Sequence, residues 1–405
     1  MDWNRVQRYA SWMRKVSMDE DERGVIVEDA FHQFRINAPA GGWFPALRTL
    51  DWVISEHNLL YVDLLFPPLL EEVHIGIQRS WNQSGLPPVI LSTLASTISA
   101  LPTSALRNLS IGNPRDASVH TLLAWAHFKD SFSSVVLRCG PSLMHLSSVI
   151  PLSDAAVDHV IRLPHLRTWD VTGPPPSRST LPTPRVFPPL TRFRLREASA
   201  GRWLSLLEHL KGRVSATRSV EPLYRVKESL TRLDVESLSS ATVIDVSLTS
   251  PIRMFRNLAH LNIHAFCYEG QCIFKLKNDD VAELAMALPQ LEHLHLGFPC
   301  QENTCATTAA CLLQLSVHCL KLGHLSIHFN TTNIVDDFKN ILVDPQFREL
   351  RSLPKCRVSC LDVEDILLTL NTSDAKTVVD GMRGIFPNLL DFGVMSIWRE
   401  ISKGL

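Results

Sequence analysis

Apolar residues recur along the chain at the first, fourth and sixth places of one short pattern, with polar or charged residues between them. Leu47, Leu50 and Trp52 form the first instance, and Leu389, Phe392 and Val394 the last. Between them the leading residues are Leu70, Leu106, Leu143, Leu166, Leu190, Leu230, Leu258, Leu291, Leu322 and Val358. The instance at Leu143 is the weakest, because Ser148 holds its sixth place. In a short strand successive side chains alternate between faces, so the fourth and sixth residues are expected to point inward and the third, fifth and seventh outward. The first residue packs where the chain turns into the strand.

The pattern advances 342 residues, from position 47 to position 389, in eleven steps. That is about 31 residues per repeat, with individual gaps from 23 to 40. The longer gaps carry helical spacing. Asp154 to Leu163 and Asp279 to Leu288 each open on an Asp start signal, place apolar residues three and four apart, and stop at a proline two residues before the next leading Leu. Each first Asp lies twelve residues before that Leu. Ser373 through Pro387 is a similar unit, three residues longer.

Strand and helix alternating at a fixed offset predict an α/β leucine-rich-repeat solenoid of about twelve irregular repeats, with a curved parallel β-sheet on the concave face and helices on the convex face. Residues 41–405 form this domain. Residues 1–40 are expected to be an N-terminal helical cap, with one helix over 3–16 that places Trp3, Val6, Ala10 and Met13 on one face, and another from Val25 to Phe34. Pro-rich residues 173–184 read as a surface loop that replaces a helix.

Composition sharpens the functional picture mostly by exclusion. Forty Lys+Arg against forty-one Asp+Glu remove an overall electrostatic argument for nucleic acid or an anionic membrane, so binding specificity has to be local. No secretory signal opens the chain, the apolar run from Leu59 to Leu70 is too short to span a bilayer, and the nine cysteines are expected as reduced thiols in the cytoplasm or nucleus. A nucleophile elbow, a phosphate-binding glycine loop, a dinucleotide fingerprint and a His-Glu-x-x-His pair are all lacking. The expected role is therefore binding rather than catalysis, without a cofactor.

Projecting the third, fifth and seventh places onto the outward face gives two clusters. In the basic one, Arg192, Arg194 and Arg196 leave one strand and Arg232, Asp234 and Glu236 the next, so that Asp170, Arg194 and Asp234 align as a ladder across three strands. Such charges either satisfy one another or leave a bidentate arginine site for a partner's carboxylate or phosphate. The second cluster is histidine: His260, His264, His293, His295, His324 and His328, six of the chain's sixteen, are expected on one patch. Histidines so placed can titrate together or share a metal, though three of them fill the same third place, as they would if the repeat merely tolerates the residue there. No metal ligand set is assigned. Cys267, Cys272, Cys300 and Cys305 sit at matching offsets in successive repeats, a spacing consistent with zinc but more often that of buried or loop thiols.

The joint Leu288-Pro289-Gln290-Leu291-Glu292-His293-Leu294-His295-Leu296 resembles the substrate-recognition region of fungal F-box leucine-rich-repeat proteins, and Asp2 to Ala10 looks like the segment that follows their F-box helices. The resemblance implies an intracellular protein-interaction module acting as substrate receptor of an F-box-type ubiquitin ligase, with a Skp-type adaptor as partner if an F-box lies upstream. No F-box, a three-helix segment opening on a Leu-Pro pair, is recognisable before Leu47. The alternative is a metal- or pH-responsive regulatory binding protein that uses the histidine patch.

Overall fold

The computed structural model describes residues 2–18, 28–39, 42–54, 59–77, 88–112, 128–172, 189–196, 228–237, 243–265, 274–297, 305–343, 345, 349, 352–362, 372–389 and 391–393. The Pro-rich stretch 173–184, Cys267, Cys272 and Cys300 lie outside them. The chain divides into two units, Met1–Leu190 and Thr191–Leu405.

The first unit carries six parallel strands in chain order: β1 (Lys15–Met18), β2 (Thr49–Ile54), β3 (Glu72–Ile77), β4 (Asn108–Ile111), β5 (His145–Ser148) and β6 (Thr168–Thr172). Its helices are α1 (Trp3–Ala10), α2 (Glu28–Ile36), α3 (Pro88–Ser99), α4 (Lys129–Arg138) and α5 (Asp154–Val160). The second unit carries seven parallel strands: β7 (Arg192–Arg196), β8 (Arg232–Ser237), β9 (His260–Ala265), β10 (His293–Leu296), β11 (His324–Ile327), β12 (Cys360–Asp362) and β13 (Asp391–Gly393). Its helices are α6 (Val246–Thr249), α7 (Asn278–Ala287), α8 (Ala310–His318), α9 (Ile334–Val343) and α10 (Thr372–Ile385). Strands packed side by side in parallel, each returning through its own connection, make both units α/β leucine-rich-repeat solenoids.

Every strand from β2 to β13 starts two residues after its leading Leu or Val. The reason lies in the core. Leading residues from Leu47 to Val358 are each at most 1% exposed, and fourth-place residues from Leu50 to Leu361 at most 2%. Burying each such side chain contributes about 1.5–3 kcal/mol, twice per repeat. A one-residue slip would turn this set to solvent, so burial fixes the register. Backbone bonds repeat the constraint: the Thr231 carbonyl accepts both Ala259 N–H and His260 N–H, the Ala259 carbonyl accepts Glu292 and His293, and the Glu292 carbonyl accepts Gly323 and His324. Ser148, the odd sixth-place residue, is buried with its hydroxyl bonded locally, accepting from Ile150 N–H at 2.8 Å.

Three local expectations change. Residues 15–18 are not the end of a helix over 3–16 but strand β1, parallel to β2, with the helix stopping at Ala10. The second cap helix runs over Glu28–Ile36, and Trp3, Phe34 and Trp43 join the two helices to the first repeat, with ring centroids 5.0–5.7 Å apart and the Trp43 indole N–H donating to the Phe34 carbonyl at 2.7 Å. Helix starts also shift. Ser153, not Asp154, caps α5 by accepting from Ala156 N–H, and Asp154 sits in the first turn. Before α7 the Asp280 carboxylate reaches back to Lys277 N–H at 2.9 Å, so an acidic side chain still answers the unpaired amides of the first turn.

Candidate binding face

Parallel register sets each third-place side chain beside its counterpart on the neighbouring strand. In the second unit this makes one row: Arg192 on β7, Arg232 on β8, His260 on β9, His293 on β10, His324 on β11 and Cys360 on β12. The three imidazoles stack. His260 and His293 have centroids 4.3 Å apart with planes at 14°, and His293 and His324 are 4.5 Å apart at 9°. The spacing follows from the strand separation of about 4.8 Å. All three rings are partly or fully open to solvent.

The basic cluster is paired internally, and the Arg194–Asp234 rung of the expected ladder is not made. Arg232 grips Asp234, two residues along its own strand, with Nε at 2.8 Å and Nη2 at 3.3 Å, and Arg192 Nη2 lies 3.9 Å from the same carboxylate. Arg194 is the register partner of Asp234, yet its guanidinium reaches diagonally to Glu236, where Arg196 Nε also sits at 3.5 Å. Long side chains lean along a strand, so the diagonal neighbour wins over the one directly opposite. Asp170 belongs to the first unit. Arg192 and Arg232 thus share Asp234, and Arg194 and Arg196 both reach Glu236. Of these, Arg192 and Arg232 keep 40% of their side chains exposed, whereas Arg196 keeps 5% and is no outward-facing group.

The histidines also part company. Five lie together on the strand face: the stacked three, and His264 with His295, whose centroids are 5.3 Å apart. His328 is buried at 2% exposure, edge-on to Phe274 at 6.2 Å, and does not join the patch. The difference lies in where each strand ends: β9 runs on to Ala265 and keeps its seventh-place residue His264 on the face, whereas β11 ends at the sixth-place Ile327 and His328 turns inside.

Burial is the main force on these imidazoles, and it disfavours the charged form. His295 is pushed down from 6.5 to about 4 by burial and by His264 beside it, against a smaller opposing effect of its 3.0 Å bond to the Gly297 carbonyl. His260 is lowered by burial and by Arg232, and His293 by burial and by its two stacked neighbours. His264 is lowered by burial, with Glu236 opposing.

Among the described residues no group of three His, Cys, Asp or Glu side chains is arranged to hold a metal ion. Stacking explains this for the row: imidazole lone pairs lie in the ring planes, so near-parallel rings aim them side by side rather than at one point. Of the described cysteines, all but Cys360 are buried free thiols. Burial raises the Cys139 and Cys319 thiols to about 12, and Cys319 donates to the Ala285 carbonyl, while Cys305 is buried.

No protein-family model matches the chain, and no curated protein matches it. Solved structures do. One is a chain from the crystal structure of the Rad7 and Elc1 complex in yeast, 12% identical, with 90% of this chain and 79% of that chain covered at a TM-score of 0.32. The leucine-rich-repeat fold stands on the strand register and buried positions of this chain itself. No described helix is long and apolar enough to cross a membrane.

Sequence reasoning missed two members of the site. Cys360 extends the row on β12, and its signal is simply the third place after Val358. Glu292, one residue before His293, acts electrostatically on both His260 and His293. The equivalent row of the first unit, Thr49, Glu72, Asn108, His145 and Thr168, is different in kind: Glu72 accepts from Asn108 Nδ2 at 2.8 Å and from the Thr49 hydroxyl at 3.3 Å, a neutral-polar network around one carboxylate.

Proposed function

We propose that the chain is an intracellular protein-interaction module, not an enzyme, and that it serves as a substrate receptor of F-box type, with the strand layer of the second unit holding the client. The observation that carries the reading is the register-locked row from Arg192 to His324, which presents guanidinium and imidazole groups on five neighbouring strands. Seven parallel strands spaced about 4.8 Å apart give a face roughly 29 Å across, comparable to one side of a standard protein interface. The positions that build the core are kept apolar, and those that face outward differ from strand to strand, so the outward set is free to encode a partner.

The test compares affinity purification of three forms of the full chain: the native one, a variant with His260, His293 and His324 replaced by Ala, and a variant with the exposed helix residue Met286 replaced by Ala. The reading expects a partner retained by the native and Met286 forms and lost from the triple variant, with a Skp-type adaptor among the retained proteins. An identical partner set from all three forms would contradict the binding face. Loss of a partner from the triple variant, with no adaptor in any preparation, would remove the ligase half alone.

A further inference from the structure

The chemistry of the row goes further than a general binding face. Arg192 and Arg232 share one carboxylate, Asp234, which is 1% exposed, while both arginines are 40% exposed. Among the described residues, no carboxylate lies at ion-pair distance from His260, His293 or His324. Next to one another, then, stand a two-to-one excess of guanidinium over carboxylate and three stacked imidazoles that are partly or fully open to solvent. Guanidiniums in excess over their carboxylate, flanked by imidazoles that each offer an N–H donor, make a surface complementary to carboxylates.

Resting on the reading above, we infer that the row Arg192–Arg232–His260–His293–His324 is a track for an acidic peptide segment that crosses the strands with its carboxylates on the guanidinium and imidazole groups. The dimensions agree. Four strand gaps span about 19 Å, which an extended segment of roughly six residues covers at about 3.3 Å per residue, turning three alternate side chains toward the row. A peptide is favoured over nucleic acid because phosphate-backbone binding draws on many Lys and Arg contacts. Here the exposed cations of the row are two, and Glu292 stands beside the histidines. Such an arrangement repels a continuous polyanion and accommodates a short, spaced one.

The experiment titrates the purified full chain with a fluorescent twelve-residue peptide alternating Glu and Ser, its Gln-for-Glu counterpart, and a single-stranded oligonucleotide of equal charge. In the variant His260→Phe/His293→Phe/His324→Phe the planar stack is retained and the N–H groups are lost. Expected are saturable binding of the Glu peptide, at least tenfold weaker binding of the Gln peptide, at least tenfold loss in the triple variant, and no change in His145→Phe on the other unit. If the triple variant does not fold, Arg192→Gln decides, with the same tenfold loss expected. Absence of Glu-peptide binding, equal binding by the Gln peptide, tighter binding of the oligonucleotide, or full binding by a folded row variant would each overturn the inference. A native partner still lost from the alanine variant above would then leave the binding face standing without its acidic specificity.

Discussion

Arg232 clasps the carboxylate of Asp234, two places along the same strand, through Nε at 2.8 Å and Nη2 at 3.3 Å. Residues two apart share a strand face, so the pair forms without help from any other element. Its consequence is that a carboxylate 1% exposed has its charge met mainly within one strand, with Arg192 at 3.9 Å in support. Asp234→Ala leaves two half-exposed guanidiniums without their counter-charge and empties a buried site. We expect a loss of about 1–3 kcal/mol in urea unfolding, below the cost of breaking a wholly buried pair because the arginines reach water. Retained stability in that variant would show the clasp to be incidental.

Gly297 holds a φ of +100°, and a Cβ there would lie 2.9 Å from the Cβ of His328. Both are seventh-place residues of successive repeats, so the glycine makes room for the buried imidazole above it. Gly297→Ala is expected to cost about 2–4 kcal/mol, from left-handed strain and the clash together. The double variant Gly297→Ala/His328→Gly, which removes the clashing Cβ, should recover only the steric part relative to His328→Gly alone. Full recovery would mean that the backbone conformation is not strained for alanine.

Acid should destabilise the second unit in a way traceable to His295. Its folded-state value is depressed to about 4, whereas the unfolded imidazole takes up a proton near 6.5. Between those values the unfolded chain binds more protons, so the stabilisation is complete above pH 6.5 and drains away as pH falls toward 4. The full difference is on the order of 3 kcal/mol. His260, His264 and His293 are lowered as well and add in the same direction. Melting temperatures of the native chain and His295→Gln, compared at pH 7.5 and pH 4.5, check this: the drop should be smaller in the variant, and equal drops would contradict it.

The twelve strands were legible because a strand has period two and its core places are filled by apolar residues at every turn of the solenoid except at Ser148. Leu291, Leu294 and Leu296 are sufficient to place β10. Strand β1 was not legible, because Lys15, Val16, Ser17 and Met18 follow a helical stretch without a leading Leu, and their pairing with β2 is a tertiary fact. Within the site, the third-place stack of His260, His293 and His324 was implicit in the equal offsets of the repeats. The seventh place was misread at two residues: alternation was carried past the end of β11 to His328 and to the last place of β7 at Arg196, and both are inside. Ion-pair partners were misread for another reason. Register gives the residue opposite, Asp234 for Arg194, but side-chain length lets Arg194 choose Glu236.

A photo-crosslinking residue placed at His293, with a second form carrying it at Met286 on exposed α7, tests the binding face most directly. In the native host the account predicts discrete protein adducts from position 293, suppressed by excess Glu–Ser peptide, and none of the same adducts from position 286. Adducts confined to position 286, or formed at 293 without regard to the competing peptide, would contradict the claim that the guanidinium–imidazole row holds the partner.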